Sequence, residues 1–437
     1  MEELELEQNE QLLEQRRLRR LEQKRRRKMQ QRLVLAVLLI IIVLSIVLIV
    51  RGCRSKNVPA PVTPAPNVPA QTEQGNTVSP DSDSVVQLAA VGDIMIYDDI
   101  LAAAQQTEGV YDFSDMFSAV AAYTMGADLT VGNLELNFCG APYSGKPDFR
   151  APEELARTLQ DVGFDVLQTA NTYSIQNGMT GLSSTISALD AVGIDHLGTY
   201  ASTQEREQSR GVLIKTVNGV RMAFIGFTKG LNNLTLPQGS EYAVDLLYTD
   251  YDTDYSRVAE DAILNAVRSA EAADPDIIIA MLHWGSEYDN TITDTQKKIE
   301  NLLLENGVDV ILGSHSHVVG RMEEKQVTTK SGEEKTCFVA YSLGNFLASQ
   351  TQSGTMESVL LNLEITKSGS TGETCVSTAR YTPLYILKQE GAAQTTFQIL
   401  PIRSAITSGL FPDAAQTLTD ALAHLRANTA SDYDSGK

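Results

Sequence analysis

Two short apolar runs set the tightest constraint on how this chain can fold. Residues 277–282 (IIIAML) stop at His283, and residues 308–313 (VDVILG) stop at Ser314-His315-Ser316-His317. Runs this short, rich in β-branched side chains and bounded by polar residues, read as strands buried on both faces. Such strands belong to parallel α/β sheets, where ligands bind just past the carboxyl ends. Three of the five histidines therefore lie where a sheet of this kind presents chemistry. Imidazole at that place points to a metal site. Taken singly, His283 reads more simply as a hydrogen-bonded core histidine. His315 and His317, at i and i+2, share one side only if the chain is extended there.

The residues upstream repeat the arrangement. Residues 85–91 lead to Gly92-Asp93-Ile94-Met95, residues 128–131 to Gly132-Asn133-Leu134-Glu135, and residues 164–169 to Ala170-Asn171-Thr172-Tyr173. Helical patterns fall between them, at 152–162, 182–192, 258–273 and 296–305, the second stopped by Gly193. Asn218-Gly219 between apolar runs predicts a hairpin. Residues 356–365, 373–388 and 394–402 alternate apolar and polar, as antiparallel strands do, and 411–427 reads as an amphipathic helix before ten loose residues. No internal repeat is present. The expected class is α/β, with two stacked sheets and helices outside. Singly, Gly92-Asp93 reads as a turn, and Asn133 with Glu135 as a helix cap. If the strands are parallel neighbours, carboxylate, amide and imidazole converge. That mixture suits Mn, Fe or Zn better than Mg or Ca, which prefer all-oxygen sites.

Charge divides the chain. The net charge is −20, but residues 1–56 carry 13 basic against 7 acidic side chains, leaving 22 against 48 in the rest. An acidic body excludes a nucleic-acid footprint, so no nucleic acid is expected as partner. Residues 1–32 read as a cytoplasmic charged helix, and 33–50 as a transmembrane helix of 18 residues whose one polar side chain is Ser45. The heavier basic flank is N-terminal, which places the body outside the cell membrane. A cleaved signal peptide or lipid attachment at Cys53 are the rivals; the long charged leader and Arg51 count against them. Residues 51–84 read as a disordered Pro-rich linker, 85–405 as the main domain, and 406–437 as a C-terminal helix and tail. No CxxC spacing is present, and outside the cell Cys337 and Cys375 could pair.

The order GDIM (92–95), GNLE (132–135), ANTYSIQNG (170–178), HWGSEY (283–288), GSHSH (313–317) and YSLGNF (341–346) carries a resemblance. It is similar to the capsule and poly-γ-glutamate synthesis proteins, the CapA-type branch of the calcineurin-like metallophosphatase superfamily. The resemblance covers residues 86–347. It implies a four-layer α/β/β/α metallophosphatase-like sandwich behind a membrane anchor. It implies Asp93, Glu135, His283, His315 and His317 as ligands of a divalent metal, with Asn171 and Tyr173 as catalytic, anion-orienting groups. Met95 stands where other metallophosphatases have histidine, and His-Ser-His replaces the more typical His-Pro-His. The departure lies at Thr172, Tyr173 and Gln176, where the family pattern has Asn, His and Asp. Two functions follow from the resemblance. One is an anchored extracytoplasmic phosphoesterase-like hydrolase acting on a phosphate ester or an anionic cell-envelope polymer. The other is a non-catalytic scaffold or polymer-binding protein that serves membrane-bound polymer synthase subunits.

Overall fold

Two mixed sheets dominate the computed structural model, which describes residues 82–391, 394–429 and 431–436. The expected cytoplasmic and transmembrane helices, and nearly all of the linker, lie outside the described residues. Among the described residues no helix is long and apolar enough to cross a membrane.

The first sheet runs Thr395–Pro401, Thr374–Glu390, Glu357–Lys367, Ser84–Ile94, Leu129–Leu134, Val166–Gln168 and Asp195–Leu197, with Asn345–Leu347 also pairing to Ser84–Ile94. Its Ser84–Ile94 to Asp195–Leu197 half is parallel, and the three late strands are antiparallel, as their alternation predicts. The second runs Met322–Thr328, Glu334–Ala340, Val310–Ser314, Ile277–His283, Val220–Thr228 and Leu213–Val217. Its four central strands are parallel. Asn218 and Gly219, both at positive φ, close the predicted hairpin.

The layering follows from the period of two along each strand. Leu88 and Ala90 point between the sheets, where they meet Phe224, Ile279 and Met281. Ala89 and Val91 point outward to Phe117, Leu155 and Leu159. Ala223, Ile278 and Ala280 point outward from the second sheet to Ile263, Val267, Ile299 and Leu303. The order is thus helices, sheet, sheet, helices.

Two expectations need correction, and one strand was not expected. Met322–Thr328 forms an edge strand that the apolar pattern does not announce, because its polar, charged sequence alternates without an apolar core face. Residues 431–436 are not loose: buried Asp434 is gripped by Arg403 and Arg426, and Ser435 N–H donates to Tyr381 O. The helix before them, Ala415–Asn428, sends Leu418, Ala421 and Leu425 into the inter-sheet core. Cys337 and Cys375 are both free. The first is buried under the helices of the second sheet, and the second is exposed on a strand of the first.

Close backbone approaches explain two glycines at the functional edge. A Cβ on Gly92 would lie 1.8 Å from Gly344 O, and one on Gly313 would lie 2.0 Å from Tyr341 O. Only glycine lets the strands that carry Asp93 and Ser314 pass so near these chains.

Candidate metal centre

The carboxyl ends of parallel strands from both sheets meet here. Register places Asp93 between Asn133 and Asn345, Thr228 beside His283, and His283 beside Ser314. All five expected ligands are buried. They form two overlapping groups: Glu135, His283 and His315, and Asp93, Glu135 and His317. Within each group the ligand atoms lie within 4.8 Å of one another.

The two late histidines reach the site by an unexpected route. The chain is not extended after Ser314; His315 (φ 91°) and His317 (φ 59°) both adopt positive φ in a turn. Left-handed backbone at a non-glycine residue is strained, and here it turns two alternate imidazoles toward one point. Tyr288 N–H donates to Ser316 O at 2.7 Å and holds that turn.

Amides position the acids. Asn133 Nδ2 donates to Asp93 Oδ1 at 2.7 Å and to Glu135 Oε2 at 3.3 Å. Asn171 Nδ2 donates to Asn133 Oδ1 and Leu134 O, while its Oδ1 accepts from Tyr173 N–H. Asn171 therefore braces Asn133. Asp93 Oδ2 stands 3.0 Å from His317 Nδ1, which also lies 3.1 Å from Asn345 Oδ1.

His283 carries the test of fit. Its Nδ1 lies 3.0 Å from Ser314 Oγ. Its Nε2 is crowded by Thr172 Oγ1 at 2.9 Å, His315 Nδ1 at 3.0 Å and Glu135 Oε1 at 3.3 Å. One ring nitrogen cannot hydrogen-bond to all three. Glu135 Oε1 is buried with no hydrogen-bond partner. Orphaned buried carboxylate oxygens are rare, and this one faces the ring nitrogens of two histidines. A carboxylate, amides and imidazoles so arranged fit a divalent transition metal.

Electrostatics agree. Burial, with the neighbouring His283, His317 and Lys229 charges, holds His315 well below its usual pKa, so its ring is neutral and able to ligate. Burial alone would lower His317, but its Asp93 hydrogen bond and the Glu135 charge push it up to about 9. Burial would raise Asp93; the His317 bond outweighs it and leaves the carboxyl below its usual value. Tyr173 packs on Phe149 at 4.5 Å, and burial with the Glu135 and Glu287 charges keeps its phenol above the ordinary range. It can donate a hydrogen bond but is no proton shuttle near neutrality. Glu287 lies exposed on the rim, and Gln176 accepts from Asn232 Nδ2 at 2.9 Å, away from the ligands.

Sequence reasoning left Ser314, Asn345 and Lys229 without roles. Ser314 and Asn345 lie inside quoted motifs. Lys229 directly follows a strand at the same edge, so the rule that found His283 could have found it too.

Residues 87–350 match the profile of the family described as bacterial capsule synthesis protein PGA_cap. The chain is 25% identical over 291 residues to the PGA biosynthesis protein CapA of Bacillus subtilis (strain 168), covering 66% of this chain and 70% of that one. It is 25% identical over 296 residues to the capsule biosynthesis protein CapA of Bacillus anthracis, covering 65% and 64%. Among solved structures, a 5'-nucleotidase precursor from Thermus thermophilus aligns with TM-score 0.39 and 13% identity, over 78% of this chain and 58% of that one.

Proposed function

This chain belongs to the bacterial capsule synthesis protein family PGA_cap, and from that premise we propose a membrane-anchored, extracytoplasmic, metal-dependent hydrolase of the phosphoesterase type. Its substrate is a phosphate ester or a linkage in an anionic cell-envelope polymer. The observation that carries this reading is Glu135 Oε1, buried, without a hydrogen bond and facing His283.

Asp93, Glu135, His283, His315 and His317 would hold the ion. A divalent ion of the Mn, Fe or Zn kind supplies Lewis acidity toward a phosphoryl oxygen and a water. The chain's own groups do the positioning. Asn133 fixes both carboxylates, Asn171 fixes Asn133, and Ser314 fixes the His283 ring. Tyr173, kept protonated, donates toward the anionic oxygen that develops.

A second reading has its own support. Thr172 Oγ1 already contacts His283 Nε2 at 2.9 Å and His315 Nδ1 at 3.4 Å, and both ends of the Asn171 amide are engaged. These internal contacts favour a scaffold that binds metal or polymer beside synthase subunits in the membrane, without turnover. Manganese content and aryl phosphate hydrolysis of the full chain separate the two. Stoichiometric metal with turnover that His315→Ala abolishes supports the hydrolase. Metal without turnover supports the scaffold, and no metal overturns the hydrolase and the metal-binding form of the scaffold.

A further inference from the structure

Lys229 follows directly on Val220–Thr228, whose last residue pairs with the ligand His283. Its N–H donates to His283 O at 2.8 Å. Its Nζ donates to Gly285 O at 2.7 Å and stands 4.8 Å from the centre of the Tyr255 ring. That platform is built: a Cβ on Gly230 would lie 2.6 Å from the Tyr255 ring, so only glycine lets the ring close in. The ammonium is half-buried, and burial lowers its pKa, the Glu287 charge opposing. Its charge reaches His315.

Other partly buried lysines are each matched to an acid. Lys215 pairs with Asp195, Lys325 with Glu300, Lys335 with Asp309 and Lys367 with Asp276. Lys229 has a carbonyl and a ring instead, and among the described residues no carboxylate stands within ion-pairing distance. Desolvating a cation without a counter-charge costs free energy. Of the three ammonium donors, Gly285 O takes one. The body carries 48 acidic against 22 basic side chains, so an anion reaching this edge meets general repulsion and one local attraction.

We propose that Lys229 is the anion anchor of this site, its ammonium seating an oxyanion of the substrate, phosphate or carboxylate, beside the histidine cluster. This rests on the metal-centre reading above and adds the charge of the substrate and the residue that reads it. Lys229 acts as a specificity-determining residue.

The test titrates inorganic phosphate and, separately, glutarate into the full-length chain by calorimetry, with metal content measured on every variant. The parent binds at least one of the two. Lys229→Met weakens that binding ~10- to 100-fold, the size expected for a charged hydrogen bond, while metal content stays unchanged. Lys229→Arg, which keeps the charge, retains most of the affinity. Binding of phosphate alone marks a phosphate-ester substrate, and of glutarate alone a carboxylate polymer. A parent that binds neither, or a Lys229→Met variant that binds as tightly as the parent, overturns the anchor. A parent that holds no metal, yet loses anion affinity in Lys229→Met, overturns the metal centre and leaves the anchor standing.

Discussion

Asp434 and Glu135 are both fully buried carboxylates, and the chain treats them in opposite ways. Asp434 is gripped by two guanidinium groups, Arg403 and Arg426. Glu135 is given no arginine or lysine, only an amide on one oxygen and imidazoles near the other. Asp245 stands between them, with one arginine, Arg206 at 2.9 Å, and the Tyr200 hydroxyl at 2.6 Å. A buried acid whose task is structural receives its counter-charge from the chain. On the metal reading proposed above, an acid left short of one takes its counter-charge from a cation outside the chain.

The comparison can be broken at each member of the series. The largest effect belongs to Asp434→Ala, which strands two arginines; denaturant unfolding should show a loss of ~3–5 kcal/mol. Next comes metal itself. Mn²⁺ at a hundredfold excess over its dissociation constant should stabilise the parent by about 2.7 kcal/mol, chelator should reverse it, and His315→Ala should show none of it. That increment should shrink as pH falls from about 9, because His317 is held protonated up to about 9 and must release the proton to ligate.

Asp245 offers a pH signature. Burial, opposed by Arg206 and Tyr200, raises its carboxyl from an ordinary 3.8 to about 6. The folded state therefore holds that proton more tightly than the unfolded state. The stabilisation is full below the unfolded value and is lost as pH rises through about 6. Stability profiles of the parent and Asp245→Asn should differ across this window by roughly 3 kcal/mol, and not change further above it. The smallest effect is the most telling in sign. Glu135→Gln should stabilise the metal-free chain by about 1 kcal/mol, by removing an uncompensated buried charge, while it eliminates the metal-dependent increment. A loss of stability there instead would make Glu135 an ordinary structural acid.

The sheets were legible in the sequence because strands buried on both faces leave dense apolar runs, and exposed antiparallel ones leave alternation. Each candidate ligand was legible for a related reason, since Asp93, Glu135, His283 and the His315 pair all sit where an apolar run stops. What remained hidden depends on contacts between distant segments. The positive φ of His315 and His317 is imposed by tertiary packing, and no local pattern announces it. Met322–Thr328 owes its place to pairing with Glu334–Ala340 and carries little apolar signal of its own. The tail is fixed through Asp434 by Arg403 and Arg426, neither of which a short window could connect to it. Lys229 stands where an apolar strand stops, as His283 does, but only the fold shows that it lacks the carboxylate its counterparts have.

The most direct test of the central claim is anomalous diffraction at the manganese edge from crystals of the chain grown with Mn²⁺. The account predicts a peak about 2.0–2.3 Å from Glu135 Oε1 and from ring nitrogens among His283, His315 and His317. Crystals soaked to saturation that show no anomalous peak at this edge of the sheets would contradict it.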